Sequence, residues 1–207
     1  MSKQIIFGIL AFLVLIIGVP VLVGISSYNG LVNKQQAVDS SWAQVQNVYQ
    51  RRADLIPNLV QTVQGAASFE KSTLIAVTDA RASVGKVTID ANSAPNDAAK
   101  LQEFENAQGQ LSNALSHLLV VSERYPELKA NGNFVTLQAQ LEGSENRIAT
   151  ERGRFNDAVQ DYDASIKRFP AVLLAGMFGF TSKPYFAATD AAQTVPTVNF
   201  NFSTTNP

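Results

Sequence analysis

Hydrophobic and polar positions follow two different patterns along this chain. Residues 5–25 contain no charged side chain and are mainly Ile, Leu, Val and Phe. At 1.5 Å per helical residue this stretch spans roughly 30 Å, which is the thickness of a bilayer's hydrocarbon core. The pattern predicts an N-terminal transmembrane helix. Pro20 lies near its end, where a membrane helix tolerates proline.

A cleaved signal peptide is the alternative interpretation of this stretch. Its apolar region normally has ~7–15 residues and ends in small residues. Gly24 and Ser26 make a poor cleavage site and the apolar run is too long, so a retained anchor is favoured. Lys3 precedes the run and the next basic residue is Lys34. The positive-inside rule therefore weakly favours a domain on the extracytoplasmic side.

From residue 28 onward, apolar residues recur every three or four positions, as they do on the buried face of an amphipathic helix. The first stripe comprises Tyr28, Leu31, Val38, Trp42, Val45, Val48 or Tyr49, and Leu55. Only Gly30 interrupts it, so the transmembrane helix is predicted to continue directly into the first helix of a bundle. Asp54 followed by Pro57 resembles an N-cap with proline in the first turn, which predicts a kink or a restart.

Three further helices are predicted. Ser68 caps a helix that extends to about Val84, and residues 85–96 form a loop in which Pro95 opens the next helix. The third stripe comprises Leu101, Phe104, Gln108, Leu111, Leu115, Leu118, Ser122 and Tyr125. The last comprises Phe134, Leu137, Leu141, Ile148, Phe155, Val159, Tyr162, Ile166 and Phe169, and Pro170 ends it.

Long helices that each carry one apolar stripe must bury those stripes against one another. Short connections make neighbouring helices antiparallel. The expected fold is all-α: an N-terminal transmembrane helix continuous with an elongated antiparallel bundle of three or four helices, and an extended C-terminal tail. The expected divisions are an anchor at 1–27, the bundle at 28–169, and an apolar segment with the tail at 170–207.

The segment 169–180 is almost entirely apolar but too short to span a bilayer. It either folds back onto the bundle, lies in the membrane interface, or docks a partner. The candidate interaction surface comprises Val172, Leu173, Leu174, Met177, Phe178 and Phe180. Residues 194–202 alternate and include Pro196, so an extended strand or loose tail is expected there.

Composition narrows the function classes. The chain has 16 Lys and Arg residues and 17 Asp and Glu residues. Its basic residues form no cluster, which argues against nucleic-acid binding. The chain has no cysteine and one histidine, His117, so a thiolate or histidine metal site is not expected. His117 lies beside the apolar stripe and is interpreted as a surface or boundary residue. No nucleophile has a plausible base partner, so neither an enzyme nor a cofactor is expected.

Several polar residues stand at unusual places and form a candidate polar network, either as salt bridges that set helix register or as a binding face. They are Arg51, Arg52, Asp54, Asn146 and Arg147. The pairs Glu103 with Glu105 and Glu142 with Glu145 fit a solvated helix face better than an acid–base site.

Several motifs resemble the bacterial LemA family. They are Tyr28-Asn-Gly-Leu-Val, Arg51-Arg-Ala-Asp-Leu-Ile-Pro-Asn-Leu-Val60, Tyr125-Pro-Glu-Leu-Lys-Ala-Asn131, Leu141-Glu142-Gly-x-Glu145-Asn-Arg-Ile148 and Phe169-Pro…Ala175-Gly-Met-Phe-Gly-Phe180. The likeness covers residues 1–187 in order. The family usually has Tyr-Asn where this chain has Phe155-Asn156 and later Tyr162-Asp163, which leaves the fold unaffected.

The resemblance implies a bacterial inner-membrane protein with a helical bundle and no catalytic activity to carry over. Magnetosome-membrane proteins belong to the same family, which suggests a role in membrane organisation for some members. The favoured function is a scaffold or adaptor that contacts itself or another membrane protein. The alternative is a binding module for lipid or a small apolar ligand between the helices.

Overall fold

The computed structural model describes residues 3–65 and 69–187, and the fold begins with one very long helix. Helix α1 runs from Lys3 to Gln64 without a break. Its N-terminal part is long and apolar enough to cross a membrane, and none of its most apolar 18-residue window is buried against the rest of the chain. The predicted continuity between the apolar span and the first bundle helix is confirmed.

The predicted helix restart at Asp54 and Pro57 is wrong, because α1 passes through both residues. A proline inside a helix leaves the carbonyl four residues earlier without its usual N–H donor. Here that carbonyl belongs to Ala53, and Arg81 Nε–H donates to it at 3.1 Å. The neighbouring helix therefore supplies the missing hydrogen bond. Asp54 does not cap a helix; its Oδ1 accepts from Gln50 Nε2 at 2.7 Å.

Helix α2 spans Lys71–Asp90 and continues into a 3-10 helix over Ala91–Asn96, so the predicted loop at 85–96 is wrong. Val87 packs against both core clusters and extends the buried stripe by one turn, which stabilises helix where the sequence looks loop-like. Helix α3 spans Ala98–Ser122 and is capped by Asp97, whose side chain accepts from Ala99 N–H and Lys100 N–H. Pro95, the expected opener, lies inside the 3-10 helix.

Within the described residues, three more helices follow α3. The short α4 spans Pro126–Lys129, α5 spans Gly132–Lys167 and α6 spans Ala171–Phe178. Asn131 caps α5 by accepting from the N–H groups of residues 133 and 134. Gly179 ends α6 in the left-handed region at φ 75°, and Phe180 N–H donates to Ala175 O at 2.9 Å. This C-cap favours glycine because a Cβ is strained at that φ.

The four long helices form an elongated antiparallel bundle, as predicted. Helix α1 packs along α5, and α2 packs along α3. The salt bridges Lys34–Asp161 and Arg52–Glu145 show that α1 and α5 run in opposite directions. The domain boundaries at residues 27 and 169 stay predictions, and the first of them lies inside α1.

The core divides into two clusters along the bundle axis. The cluster nearer the apolar span is rich in aromatic rings and includes Trp42, Phe104 and Phe155, whereas the far cluster is mostly aliphatic. The predicted stripes supply most of both clusters. Phe169 is an exception: it is 80% exposed, because α5 ends at Lys167 and the chain turns before it.

Residues 181–187, here called the strap, follow α6 in a non-helical conformation and lie along α5. Lys183 N–H donates to Asp163 Oδ1 at 3.1 Å, and further along Phe186 contacts Asn156. The strap therefore runs antiparallel to α5. Ser68 and the extended strand or loose tail expected at 194–202 lie outside the described residues.

Candidate functional site

The most buried charge in the described part of the chain is Arg52, at the middle of α1. Its side chain is 1% exposed. Its guanidinium donates to Ser112 Oγ at 2.8 Å, to Gln108 Oε1, and to Glu145 Oε1. It therefore ties α1 to α3 and to α5 at one level of the bundle. We call Arg52, Gln108, Ser112 and Glu145 the Arg52 network.

The Arg52 network is enclosed on one side by an aromatic ring. The Arg52 guanidinium carbon lies 5.2 Å from the centre of the Tyr49 ring, a cation–π distance. Burial raises the pKa of the Tyr49 phenol, against the opposing pull of Arg152 and Arg52. Arg52 Nε is buried with no hydrogen-bond partner among the described residues. The Arg52 guanidinium is thus withdrawn from solvent between three helices, while its partner Glu145 stays partly exposed.

Of the five residues predicted to form a polar network, only Arg52 belongs to one with partners on other helices. Arg51, Asp54, Asn146 and Arg147 are exposed on their helices. A signal for Arg52 exists in the sequence, because it takes the apolar-stripe position between Tyr49 and Ile56. Its partners could not be chosen locally: Gln108 sits in a stripe, but Glu145 was interpreted as part of a solvated face. Glu145 is 47% exposed, as that interpretation expects, and it pairs with Arg52 from this partly solvated position.

A second ion pair lies one turn nearer the apolar span. Arg152 Nη2 donates to Glu105 Oε1 at 2.8 Å and to Ala187 O in the strap at 2.9 Å. Its guanidinium also lies 4.6 Å from the centre of the Phe186 ring. Burial raises the pKa of the Glu105 carboxyl, while Arg152 opposes that rise. Glu105 is therefore not on a solvated face, and the expectation for it is corrected.

The strap is held by specific contacts at both of its ends. Asn156 Nδ2 donates to Phe186 O at 3.1 Å, and Phe186 N–H donates to Asn156 Oδ1 at 2.9 Å. The Phe186 ring stacks on Trp42 at 5.9 Å and meets Phe155 edge-on at 5.3 Å. The strap thus completes the aromatic end of the core.

Lys183 fixes the start of the strap. Its side chain is buried, its Nζ donates to Asn96 Oδ1, and it lies 3.8 Å from Asp39 Oδ1. It also lies 5.4 Å from the centre of the Tyr162 ring. Burial lowers the pKa of the Lys183 ammonium, and Asp39 and Asp163 counteract this. The partners of Lys183 come from distant parts of the chain, so its sequence position carried no signal.

An open groove of about 660 Å³ runs between α1, α3 and α5 beside these ion pairs. Most of its lining residues are polar: besides the Arg52 network and the Arg152–Glu105 pair, they include Gln102, Asn106 and Asn113. Tyr49, Ile148 and Ala187 also line it, so polar and apolar surface are present together. Opposite charges are already paired within it, and its open, partly polar walls suit solvent or a ligand that has polar groups. His117 lies on the exposed face of α3, as predicted.

The candidate interaction surface on α6 lies at the end of the bundle beside the apolar span. Val172, Leu173, Met177 and Phe178 are exposed, and Leu174 and Phe180 are partly buried. The Phe178 ring lies 4.9 Å from that of Tyr28. A shallow apolar groove of about 370 Å³ separates α6 from α1, and it is lined by Val21, Gly24, Ile25, Tyr28, Leu174 and Phe178.

Comparison with known proteins agrees with this architecture. The model of the LemA family matches residues 41–200. The magnetosome protein MamQ of Magnetospirillum gryphiswaldense is 24% identical over 186 residues, covering 81% of this chain and 67% of the relative. The magnetosome protein MamQ 2 of Paramagnetospirillum magneticum is 25% identical, with the same coverage. Protein LemA of Metamycoplasma hominis is 21% identical, covering 79% of this chain and 70% of the relative.

Proposed function

Because this chain belongs to the LemA family, and because its α1 combines an apolar span with a bundle helix, we propose that it is a membrane-anchored, non-catalytic scaffold. Residues 5–25 of α1 cross the membrane and the bundle stands on that anchor. The scaffold contacts a second copy of itself or another membrane protein through its bundle helices. A role in membrane organisation fits relatives that are described as magnetosome proteins.

The observation that carries this proposal is the uninterrupted course of α1. A flexible linker would let a domain rotate freely on its anchor, whereas a continuous helix transmits position and tilt. Leu31, Val38 and Trp42 are buried in the bundle within a few turns of the span, so the helix is clamped by tertiary packing. Residues 26–64 extend roughly 60 Å at 1.5 Å per residue. The far end of the bundle is therefore held at a set distance from the bilayer.

Site-specific photo-crosslinking in intact membranes tests the scaffold. A photoreactive residue replaces Ile75, Val120 or Val135, three exposed apolar side chains near the far end of the bundle. The scaffold predicts a discrete protein adduct from at least one position, either at twice the chain's 22.3 kDa or with one other protein. The scaffold is contradicted if no position yields a protein adduct and native mass spectrometry gives a monomeric mass.

The side of the membrane that the bundle occupies is part of the proposal. Lys3 before the span and the absence of a basic residue until Lys34 weakly favour a bundle outside the cytoplasm, and we propose that orientation. The chain has no cysteine, so Val120→Cys creates a single reporter. A membrane-impermeant maleimide should label this cysteine in cells whose inner membrane is intact. Labelling only after lysis would reverse the orientation.

Binding of lipid or another apolar ligand remains the second candidate, with one observation in its favour. The apolar groove between α1 and α6 has space for part of an acyl chain. However, it opens beside the span, where bilayer lipid would fill it without specific recognition, and the larger groove is lined by two ion pairs that an apolar ligand would desolvate. Stoichiometric retention of one lipid species in native mass spectrometry would favour this candidate over the scaffold.

A further inference from the structure

Helix α6 turns its small residues toward the core and its large apolar residues outward, which is unfavourable in water. Its small residues face inward: Ala175 is buried, and Ala171 packs against the core. Its large residues face outward: Leu173 and Phe178 are more than half exposed, and Met177 is 79% exposed. Surface helices in water normally turn their large apolar residues toward the core. This arrangement requires a second apolar environment outside the protein.

The position of α6 identifies that environment. Leu174 and Phe178 face the groove at Val21, Gly24, Ile25 and Tyr28, which is the C-terminal end of the apolar span. If the uncharged run of α1 fills the hydrocarbon core, these contacts lie at its boundary and up to one helical turn inside it. Interfacial helices bury their apolar face about 5–10 Å into the same zone. The apolar surface of α6 is thus continuous with that of the span.

Charge supports the same placement. Residues 169–182 contain no Asp, Glu, Lys or Arg. Lys167 and Arg168 stand directly before this segment and are both exposed, at the level where phosphate headgroups would be. Phe169, which is 80% exposed, lies between these basic residues and α6. Basic residues at this level attract anionic lipid headgroups, and the apolar side chains beside them supply the area that is buried in the bilayer surface.

We propose that α6, together with Phe169, inserts into the headgroup–acyl boundary of the bilayer that α1 crosses. The bundle then has two attachments to one membrane, a spanning helix and an interfacial helix. The strap that follows α6 couples the second attachment to the core, because its Lys183 and Phe186 are both buried. The second attachment restricts rotation of the bundle about the α1 axis, which a single spanning helix leaves free. This inference rests on the proposed anchoring by α1.

The test measures depth with spin labels on the full-length protein, which has no native cysteine. Met177→Cys, Leu22→Cys and Val120→Cys are labelled one at a time in vesicles of phosphatidylcholine and phosphatidylglycerol. All three native side chains are well exposed, so the label should not disturb packing. Collision with oxygen reports lipid, and collision with a polar nickel chelate reports water. Unchanged Trp42 fluorescence confirms that each variant is folded.

The expected result is a label at 177 that collides several-fold more with oxygen, relative to the nickel chelate, than the label at 120. The label at 22 sets the value for full insertion. If 22 is in lipid but 177 is as wet as 120, the interfacial helix is refuted and the anchor stands. If 22 is also wet, the anchoring fails as well. If the label at 177 is shielded from both reagents, protein covers α6, and the inference is also overturned. Spin–spin broadening in that case would identify the covering protein as a second copy of this chain.

Discussion

The side chain of Asn156 forms two hydrogen bonds with the backbone of Phe186: Asn156 Nδ2 donates to Phe186 O, and Phe186 N–H donates to Asn156 Oδ1. An asparagine side chain matches the donor and acceptor of one backbone residue in this way. The pairing places the Phe186 ring against Trp42 and Phe155. One side chain on α5 therefore determines how the strap closes the aromatic end of the core.

Asn156→Ala should destabilise the protein by about 1–3 kcal/mol, because both backbone groups of Phe186 lose their partner in a partly buried place. The measurement is urea unfolding of the detergent-solubilised protein, followed by the fluorescence of Trp42, the single tryptophan. Asn146→Ala is the matched control, since Asn146 is exposed on the same helix. It should change the free energy of unfolding by less than about 0.5 kcal/mol. Equal effects of the two substitutions would show that the Asn156–Phe186 hydrogen bonds contribute nothing to stability.

Arg52→Ala should cost about 2 kcal/mol or more, because it leaves Gln108 and Glu145 without their shared donor. Glu145 is partly exposed and can turn to water, which keeps the loss below that of a fully buried pair. Arg52→Lys should recover only part of the stability, since an ammonium group cannot reproduce the forked geometry. Arg51→Ala, one residue away and exposed, is the control, and its unfolding midpoint in urea should match that of the wild type.

The hydrogen bond from Arg81 to Ala53 O predicts an energetic coupling between Arg81 and Pro57. Arg81→Met should cost about 1 kcal/mol in the wild-type chain, because the carbonyl freed by Pro57 loses its donor. In the Pro57→Ala background the same substitution should cost less, since residue 57 then supplies its own N–H. A double-mutant cycle by urea unfolding measures this difference. A coupling energy of zero would mean that Arg81 does not compensate for the proline.

Glu105 predicts a distinct pH dependence of stability. Burial raises the pKa of Glu105 in the folded protein above its ordinary value of 4.5. At a pH between 4.5 and the raised pKa, the folded protein therefore binds a proton that the unfolded chain releases. The resulting stability is fully present below 4.5 and is lost as the pH rises through the raised pKa. Glu105→Gln removes this titration. The difference obtained by subtracting the Tm of this variant from that of the wild type should therefore be largest near pH 4 and should decrease toward pH 7. Glu103→Gln, exposed on the same helix, corrects for the loss of one carboxylate.

The sequence alone determined the apolar span and the buried faces of the long helices, because both depend on local regularities. The uncharged run before Ser26 predicts the span, and the spacing from Leu101 to Leu118 predicts the face of α3 that is buried. The continuity of the span with the bundle follows from the same local information, since no breaker intervenes. The apolar character of α6 is also visible in the sequence, although its position beside Tyr28 is not.

Only the tertiary structure decided which polar groups find partners. Pro57 resembled a helix break until Arg81 from α2 supplied a donor, and Glu105 resembled a solvated carboxylate until α5 brought Arg152 to it. The strap was equally hidden, because Asn156 and Phe186 are 30 residues apart. Helical periodicity is a property of neighbours three or four positions apart. A hydrogen bond between distant segments depends on how whole helices align, and that alignment is set by the packed core.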